Sequence, residues 1–224
     1  MPDENLQASH ESKRLLVMDV DSTLIDEEVI DLLGEAAGSG ACIADITRRA
    51  MLGEIDFKAA LSERVALLKG MPAGMLDSVF NTLHFTSGAL EMIDTAHERG
   101  WTVGVVSGGF SELVEGLVRR AHIDHSLANH LGIEDGVLTG LTVGPVVTKD
   151  TKLEALRRWA AEDGVPMAQT VAIGDGANDI PMIRAAGVGI AFCAKPVVQQ
   201  AAHYAIQQRD LMQVIDIVDG HTRS

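Results

Sequence analysis

The stretch that most constrains this chain is the apolar run Leu15-Leu16-Val17-Met18, which leads directly into Asp19-Val20-Asp21. A continuous apolar run of this kind is typical of a strand buried on both faces of a parallel sheet. Such sheets bind ligands beyond the carboxyl ends of their strands, and side chains alternate along a strand. The sequence therefore predicts that Asp19 and Asp21 face one site. Asp21-Ser22-Thr23 fits a turn followed by a helix cap equally well.

Helical and strand patterns alternate along the chain after about residue 87. Strands are predicted at 101–106, 170–173 and 188–192, with a hairpin over 126–143 around Glu134-Asp135-Gly136. Helices are predicted at 88–99, 111–120, 151–161 and 180–186. Successive short βα units predict an α/β fold, a doubly wound parallel sheet with helices on both faces.

Residues 26–84 contain no strand pattern and interrupt this alternation. Amphipathic helices are predicted there at 26–37, 43–52, 57–68 and 75–83. We therefore expect two domains, a catalytic core of residues 1–25 and 85–224 and a small helical domain of residues 26–84 inserted after the first strand.

Charge and composition exclude several classes of partner. The net charge of −14 argues against a general nucleic-acid or anionic membrane surface, both of which need clustered Lys and Arg. The longest uncharged apolar run, 185–194, is too short to span a bilayer, and residues 1–14 lack the apolar segment of a secretory signal. Two distant cysteines, Cys42 and Cys193, favour a reducing cytoplasmic compartment over a disulfide framework.

Two further motifs follow predicted strands. Ser107-Gly108-Gly109 offers a hydroxyl and glycine N–H groups, which form a small anion-binding nest, although the same tripeptide is a common turn. Gly174-Asp175-Gly176-Ala177-Asn178-Asp179 adds two carboxylates at the same sheet edge, and several carboxylates with open positions suit Mg²⁺. An acidic glycine loop in which Asp179 caps the next helix is the alternative.

Two lysines, Lys149 and Lys152, stand near the start of the helix predicted between the hairpin and the Gly-Asp-Gly motif. Either could bring positive charge to an anionic ligand at the sheet edge. A lone lysine at such a position is more often a solvated side chain.

The order of these motifs resembles the haloacid dehalogenase superfamily of phosphotransferases. An acid pair, a hydroxyl with glycines, a lysine and Gly-Asp-Gly-x-Asn-Asp occur in succession. Together with Glu28 and Ala-Phe-Cys-Ala-Lys-Pro at 191–196, they are similar to the phosphoserine phosphatase family. The resemblance covers the chain from about residue 15 to its C-terminus.

The resemblance implies a role for each core motif. Asp19 is expected to be the nucleophile that forms an aspartyl-phosphate, and Asp21 the group that protonates the leaving seryl oxygen and later activates water. The phosphate would be held by Ser107, Gly108 and Lys152, with Lys149 the less favoured lysine, and Asn178 is a further expected substrate-binding residue. Mg²⁺ would be held by Asp19, the backbone carbonyl of Asp21 and Asp175, with Asp179 in support.

The resemblance also makes the helical insertion a cap that selects the substrate. Glu28 is expected to meet the ammonium group of O-phosphoserine and Arg64 its carboxylate, while Met51 and Phe57 occupy apolar positions in the lid. Without the resemblance, Glu28 and Arg64 fit solvated helix charges and the two apolar residues fit core positions.

The expected activity is hydrolysis of O-phosphoserine in serine biosynthesis. A related phosphatase for another small phosphomonoester, such as phosphohomoserine, is the alternative among enzymes. A receiver-type signalling module would need a chain of about half this length without the insertion. We expect a monomer or homodimer, and no control through an additional regulatory domain.

Overall fold

The computed structural model describes residues 13–222 of the chain. Part of the N-terminal segment 1–14, for which no secretory signal is predicted, lies outside the described residues. Within them, seven strands form one sheet in the order β4-β3-β2-β1-β5-β6-β7, in which only the β3–β4 pair is antiparallel. The strands are β1 Leu15–Met18, β2 Thr102–Phe110, β3 His125–Glu134, β4 Val137–Val143, β5 Thr170–Gly174, β6 Val188–Phe192 and β7 Tyr204–Ile206.

Helices fill the segments between the strands. They are α1 Val29–Ala36, α2 Gly40–Met51, α3 Phe57–Ala66, α4 Met75–Phe80, α5 Ala89–Glu98, α6 Ser111–Ala121, α7 Lys149–Glu162, α8 Ile180–Ala185, α9 Pro196–Gln199 and α10 Gln213–Thr222. The predicted helices and strands up to residue 192 are all present, with ends that move by a few residues. The elements α9, β7 and α10 were not predicted from the sequence. None of the helices among residues 13–222 is long and apolar enough to cross a membrane.

The two faces of the sheet are covered by different helices. Alternate residues of β1 point in opposite directions, so Leu16 and Met18 pack with α5, α6 and α10. Leu15 and Val17 pack on the other side with α7 and α8. All four side chains are fully buried. This three-layer arrangement confirms the predicted α/β fold with helices on both faces.

The chain leaves β1 one residue before Asp19. Residues Val20–Leu24 form a wide turn, closed by a hydrogen bond from the Ile25 N–H to the Val20 carbonyl at 3.0 Å. Ser22 lies in the left-handed region at φ 55°. The prediction that strand alternation aims Asp19 and Asp21 at one site was therefore wrong in its mechanism, because β1 ends at Met18 and Asp21 lies in this turn, while Asp19 precedes the turn with an extended backbone.

The helical insertion joins the core through two chain segments that pair with each other. Ile25 forms an antiparallel bridge with Phe85, and the Thr86 N–H donates to the Leu24 carbonyl at 2.9 Å. Arg209 contacts this junction, donating to the Asp26 carboxylate at 2.5 Å and to the carbonyls of Ser22 and Ile25 at 3.1 Å. The turn that follows β1 is thus fastened to the C-terminal part of the chain.

The insertion is also attached to the β3–β4 hairpin. The Gly70 N–H donates to the Leu138 carbonyl at 2.8 Å, and the Leu138 N–H donates to the Met71 carbonyl at 2.9 Å. The Ala73 N–H donates to the Gly136 carbonyl at 2.8 Å. These backbone bonds hold the helices over the carboxyl ends of the strands.

Gly104 in β2 sets the distance between the sheet and α7. A Cβ atom at this position would lie 2.9 Å from ring atoms of Trp159, which is buried and stacks on His125 with ring centroids 5.2 Å apart. Because the absent side chain lets the indole lie against the strand, Gly104 determines where α7 packs.

We expect Gly104→Ala to lower the free energy of unfolding by about 1–3 kcal/mol, since the added methyl group must displace a packed indole. Urea denaturation followed by circular dichroism measures this change. The matched control is Gly74→Ala, where the backbone is already helical at φ −61° and no described atom beyond the chain neighbours lies within 4 Å of the new Cβ. Equal losses in both variants would contradict the packing explanation.

Candidate active site

Polar side chains from several parts of the sheet meet at its carboxyl edge. Asp19 follows β1, Ser107 belongs to β2 and Asp175 follows β5. Lys152 enters from the first turn of α7. Thr148 caps this helix, because its hydroxyl accepts a hydrogen bond from the Thr151 N–H. Because β2 and β5 flank β1 in the sheet, these groups reach one place although they are far apart in sequence.

Lys152 is the buried cation of the site, with 1% of its surface exposed. Its ammonium group lies 2.7 Å from Asp19 Oδ2 and 2.7 Å from Asp179 Oδ1. Burial by itself lowers the pKa of Lys152, but the Asp179 and Asp19 carboxylates outweigh that effect and raise it. The other candidate, Lys149, is exposed at the first residue of α7.

Asp175 and Asp179 complete an acidic cluster with Asp19. Asp179 is fully buried, and its second carboxylate oxygen accepts a hydrogen bond from the Gly176 N–H at 3.0 Å. Asp175 accepts a longer one from the Thr23 hydroxyl at 3.3 Å. Burial, followed by the proximity of Asp19, raises the pKa of Asp175 to about 6 and that of Asp179 to about 7. The cluster therefore concentrates negative charge around a single lysine.

This cluster fits a hard divalent cation. Asp19, Asp175 and Asp179 each bring a carboxylate oxygen to within 4.8 Å of the others. Mg²⁺ is held by carboxylate oxygens and keeps several positions for water or phosphate. Both oxygens of Asp19 and both oxygens of Asp179 already have partners, whereas Asp175 accepts a single hydrogen bond from the described residues, so Asp175 offers the more available oxygen.

Asp21 has quite different surroundings from Asp19. Among the described residues no hydrogen-bond partner reaches its buried Oδ1 atom. Burial, then the nearby charges of Glu28 and Asp19, raise the pKa of Asp21 well above its usual value. A Cβ atom at Gly109 would lie 3.0 Å from both Asp21 Oδ2 and Ser107 Oγ. Asp21 therefore lies directly beside the Ser-Gly-Gly segment.

The Ser-Gly-Gly segment is part of β2, which continues to Phe110 instead of ending at 106 as predicted. Ser107 is fully buried, and its hydroxyl oxygen accepts a hydrogen bond from the Gly109 N–H at 2.7 Å. The Asn129 amide donates to the Gly108 carbonyl at 2.8 Å. These two hydrogen bonds hold the backbone of residues 107–109 in place within the strand.

The helical insertion brings charged groups toward the acids. The Glu28 carboxylate accepts a hydrogen bond from the Ser22 hydroxyl at 2.6 Å and is exposed to solvent. The pKa of Arg64 is lowered from its ordinary value, mainly because the guanidinium is partly buried. The charges of Asp31, Glu28 and Asp21 act in the opposite direction without cancelling this effect. Arg64 donates to the Ala60 carbonyl at 3.3 Å and the Thr47 hydroxyl at 3.4 Å, both long bonds. The charges of Arg64 and Glu28 therefore interact with the charge of Asp21.

Phe57 and Asn178 lie beside the glycines of the site, whereas Met51 contacts Lys195. The ring of Phe57 covers the Ser-Gly-Gly segment, since its Cζ would be 3.4 Å from a Cβ at Gly108. Met51 is 65% exposed, and its sulfur lies 3.9 Å from Lys195 Nζ. Asn178 is half-buried, with its amide oxygen folded over Gly176. Met51 thus has the loosest connection to the cluster of acids.

The sequence analysis missed Asn129, Thr23 and Arg209. Thr23 is buried beneath Asp175, and Arg209 fixes the backbone of the acidic turn. Asn129 is a polar residue between Leu127 and Leu131 at the alternate positions of a predicted hairpin, a weak signal that could have drawn attention to it. Arg209 lies in the C-terminal region that had no prediction, so nothing in the sequence pointed to its contact.

Comparison with known proteins agrees with this geometry. The family model of haloacid dehalogenase-like hydrolases matches residues 16–184. A phosphoserine phosphatase of Streptococcus thermophilus is 57% identical over 93% of this chain and 97% of its own length, and one of Lactococcus lactis is 55% identical over 93% and 96%.

Two solved structures of this kind superpose closely. A substrate-bound phosphoserine phosphatase complex has a TM-score of 0.87 at 39% identity, covering 92% of this chain and 99% of that one. A structure described as a phospho-aspartyl intermediate analogue of phosphoserine phosphatase gives the same values. The chain therefore belongs to the haloacid dehalogenase-like hydrolases and, within them, to the phosphoserine phosphatase family.

Proposed function

We propose that this chain hydrolyses O-phosphoserine to serine and phosphate, the last step of serine biosynthesis, through an aspartyl-phosphate on Asp19. The observation that carries this proposal is the contrast between two neighbouring acids. Asp19 is ion-paired with Lys152 at 2.7 Å, whereas Asp21 has a buried oxygen for which residues 13–222 supply no partner. Two acids in unlike surroundings suit two different tasks.

In the first half-reaction, Asp19 is the nucleophile. One of its carboxylate oxygens forms a bond to phosphorus while the bond from phosphorus to the seryl oxygen breaks. Asp21 gives its proton to the departing seryl oxygen, a role that its position beside Ser107 and Gly109 supports. Serine leaves, and the phosphoryl group remains on Asp19.

In the second half-reaction, Asp21 takes a proton from a water molecule whose oxygen attacks phosphorus. The bond between phosphorus and Asp19 breaks, and phosphate is released. Asp21 thus donates a proton in the first step and accepts one in the second. Asp19 is regenerated for the next substrate.

The phosphoryl oxygens are held by the Ser107 hydroxyl, the Gly108 N–H, Lys152 and Asn178 in this proposal. Phosphoryl transfer depends mainly on positioning and charge stabilisation, for which fixed donors are effective. Mg²⁺ is proposed to bind Asp19, the Asp21 carbonyl and Asp175, with Asp179 in support. When bound, the ion neutralises charge on the phosphoryl oxygens.

The helical insertion, residues 26–84, is proposed to act as a cap over a core of residues 1–25 and 85–224. Arg64 grips the substrate carboxylate and Glu28 meets its ammonium, which would select a zwitterionic amino-acid phosphate. Phe57 and Met51 exclude water from the reacting groups. The electrostatic coupling of Arg64 to Glu28 and Asp21 supports this assignment.

We also propose that the enzyme works in the cytoplasm. Cys42 and Cys193 are both unpaired and exposed, as expected in a reducing compartment. A monomer or homodimer remains the expected state of assembly.

A phosphate-release panel tests the substrate. With Mg²⁺ present, we expect kcat/KM for O-phosphoserine to exceed that for phosphothreonine, phosphohomoserine and sugar phosphates. Sugar phosphates lack the ammonium and carboxylate that would meet Glu28 and Arg64, phosphohomoserine carries them one methylene further from the phosphate, and phosphothreonine adds a methyl group beside the reacting oxygen. Adding EDTA should abolish turnover, and Mg²⁺ should restore it. Equal rates for all the phosphomonoesters would overturn the substrate assignment but leave the reaction class intact.

Substitution of the two acids tests their separate tasks. Asp19→Asn should reduce kcat by roughly four orders of magnitude or more, because the nucleophile is lost. Asp21→Asn should slow phosphoserine hydrolysis by about 100- to 10,000-fold. With p-nitrophenyl phosphate, whose leaving group needs no proton, Asp21→Asn should still release a first burst of nitrophenol in stopped-flow measurements. A burst from Asp19→Asn would refute the assignment of the nucleophile.

Arg64→Ala tests recognition of the carboxylate. We expect KM for O-phosphoserine to rise about 10- to 100-fold, since a hydrogen bond to a charged group contributes roughly 1.5–3 kcal/mol. KM for p-nitrophenyl phosphate should change little. The control is Arg119→Ala, an arginine of α6 whose side chain is 75% exposed. An equal rise for both substrates would make Arg64 a structural residue.

A further inference from the structure

The segment that carries Ser107 interrupts the pairing between β2 and β3. Val106 is opposite Leu127 and Phe110 is opposite Asn129, so the register shifts across residues 107–109. Three residues of β2 thus lie against a shorter stretch of β3, as in a bulge. Backbone groups released from a buried strand pair need other partners, because an unpaired buried carbonyl is costly.

Asn129 supplies one such partner and has only 1% of its surface exposed. Its side-chain nitrogen donates to the Gly108 carbonyl at 2.8 Å, and its side-chain oxygen accepts from the Val147 N–H at 2.8 Å. Both ends of one amide are therefore used, each on a different segment. Asn129 links the Ser-Gly-Gly loop to the chain that leads into α7.

The first of these bonds fixes the hydroxyl of Ser107. A peptide unit is planar, so the Gly108 carbonyl and the Gly109 N–H point in opposite directions. With the carbonyl turned toward Asn129, the Gly109 N–H donates to Ser107 Oγ at 2.7 Å. Because this bond occupies a lone pair of the hydroxyl oxygen, the O–H remains available to donate to a phosphoryl oxygen.

The second bond acts on Lys152. Val147 is buried and immediately precedes Thr148, the residue that caps α7. The Lys152 N–H donates to the Thr148 carbonyl at 2.9 Å, so the position of Thr148 sets where the first turn of α7 begins. Holding the Val147 N–H therefore fixes the start of the helix that delivers the lysine.

We propose that Asn129 is a positioning residue that aligns the Ser107 hydroxyl and the Lys152 ammonium with each other as one phosphate-binding unit. The inference rests on the proposed function, in which both groups hold the phosphoryl oxygens. Strand β3 contributes none of the proposed site residues. Through Asn129, this strand sets the distance between two of those residues, Ser107 and Lys152.

The test uses two variants that remove different hydrogen bonds of the Asn129 side chain. Asn129→Asp is nearly isosteric and keeps the acceptor for Val147 but removes the N–H donor to Gly108, while Asn129→Leu removes both. We expect kcat/KM to fall roughly 10- to 100-fold in Asn129→Asp and further in Asn129→Leu, because small misplacements of binding groups are costly in rate. The fall should be equal for O-phosphoserine and p-nitrophenyl phosphate, since both present the same phosphoryl group. The control is Asn81→Asp, at an exposed asparagine that ends α4.

Two readouts separate positioning from general stabilisation. Inhibition by inorganic phosphate should weaken in both Asn129 variants. In a double-mutant cycle, Asn129→Asp should cost much less in a Ser107→Ala background, because one effect acts through the other. Additive losses, unchanged phosphate inhibition, or unfolding of both variants in circular dichroism would overturn the inference. If Ser107→Ala itself leaves kcat/KM unchanged, the proposed phosphate site fails instead.

Discussion

The ion pairs of Lys152 are the interaction on which the rest of the site depends. Its ammonium lies 2.7 Å from both Asp19 and Asp179, and these three residues are almost completely buried. Removing a charge from water costs several kcal/mol per ion, so a buried ion needs a closely placed partner. Asp175 adds a third carboxylate to the same small volume. One lysine against three acids leaves excess negative charge, and this imbalance makes the sheet edge suited to a divalent cation and the phosphoryl group it accompanies.

The same edge gives two neighbouring acids different chemistry. Asp19 receives Lys152 on one carboxylate oxygen and the Val20 N–H, at 2.8 Å, on the other. Asp21, two residues later, points into a buried space beside Gly109 and has an oxygen without a partner among the described residues. The wide turn of Val20–Leu24 produces this separation, and Arg209 holds the backbone of that turn from the far end of the chain. Support for these two acids therefore comes from parts of the chain that carry no recognisable motif.

Much of the fold could be predicted from the sequence, as could the group of residues that meets at the carboxyl edge of the sheet, Asp19, Lys152, Asp175 and Asp179. The buried strand β1, the helices of the insertion and the βα alternation up to residue 192 all follow from hydrophobic periodicity, which reflects burial directly. The C-terminal elements α9 and β7 were missed, because four- and three-residue segments give too little periodicity. Asn129 and Arg209 were missed for another reason. Their importance lies in single hydrogen bonds to backbone groups that are distant in sequence, and no local pattern encodes such a bond.

The sequence by itself determined which chemical groups are present and near which elements they lie: Asp19 and Asp21 after β1, Ser107 in β2, Lys152 near the start of α7, and Asp175 and Asp179 after β5. It could do so because strand ends and glycine turns are local features with characteristic residues. Only the tertiary structure decided how these groups are paired: Lys152 between two acids, Asp21 apart in a turn, and Ser107 linked to α7 through Asn129. Pairing depends on packing among β1, β2, β3, β5 and α7, which brings residues more than a hundred positions apart to within hydrogen-bond distance.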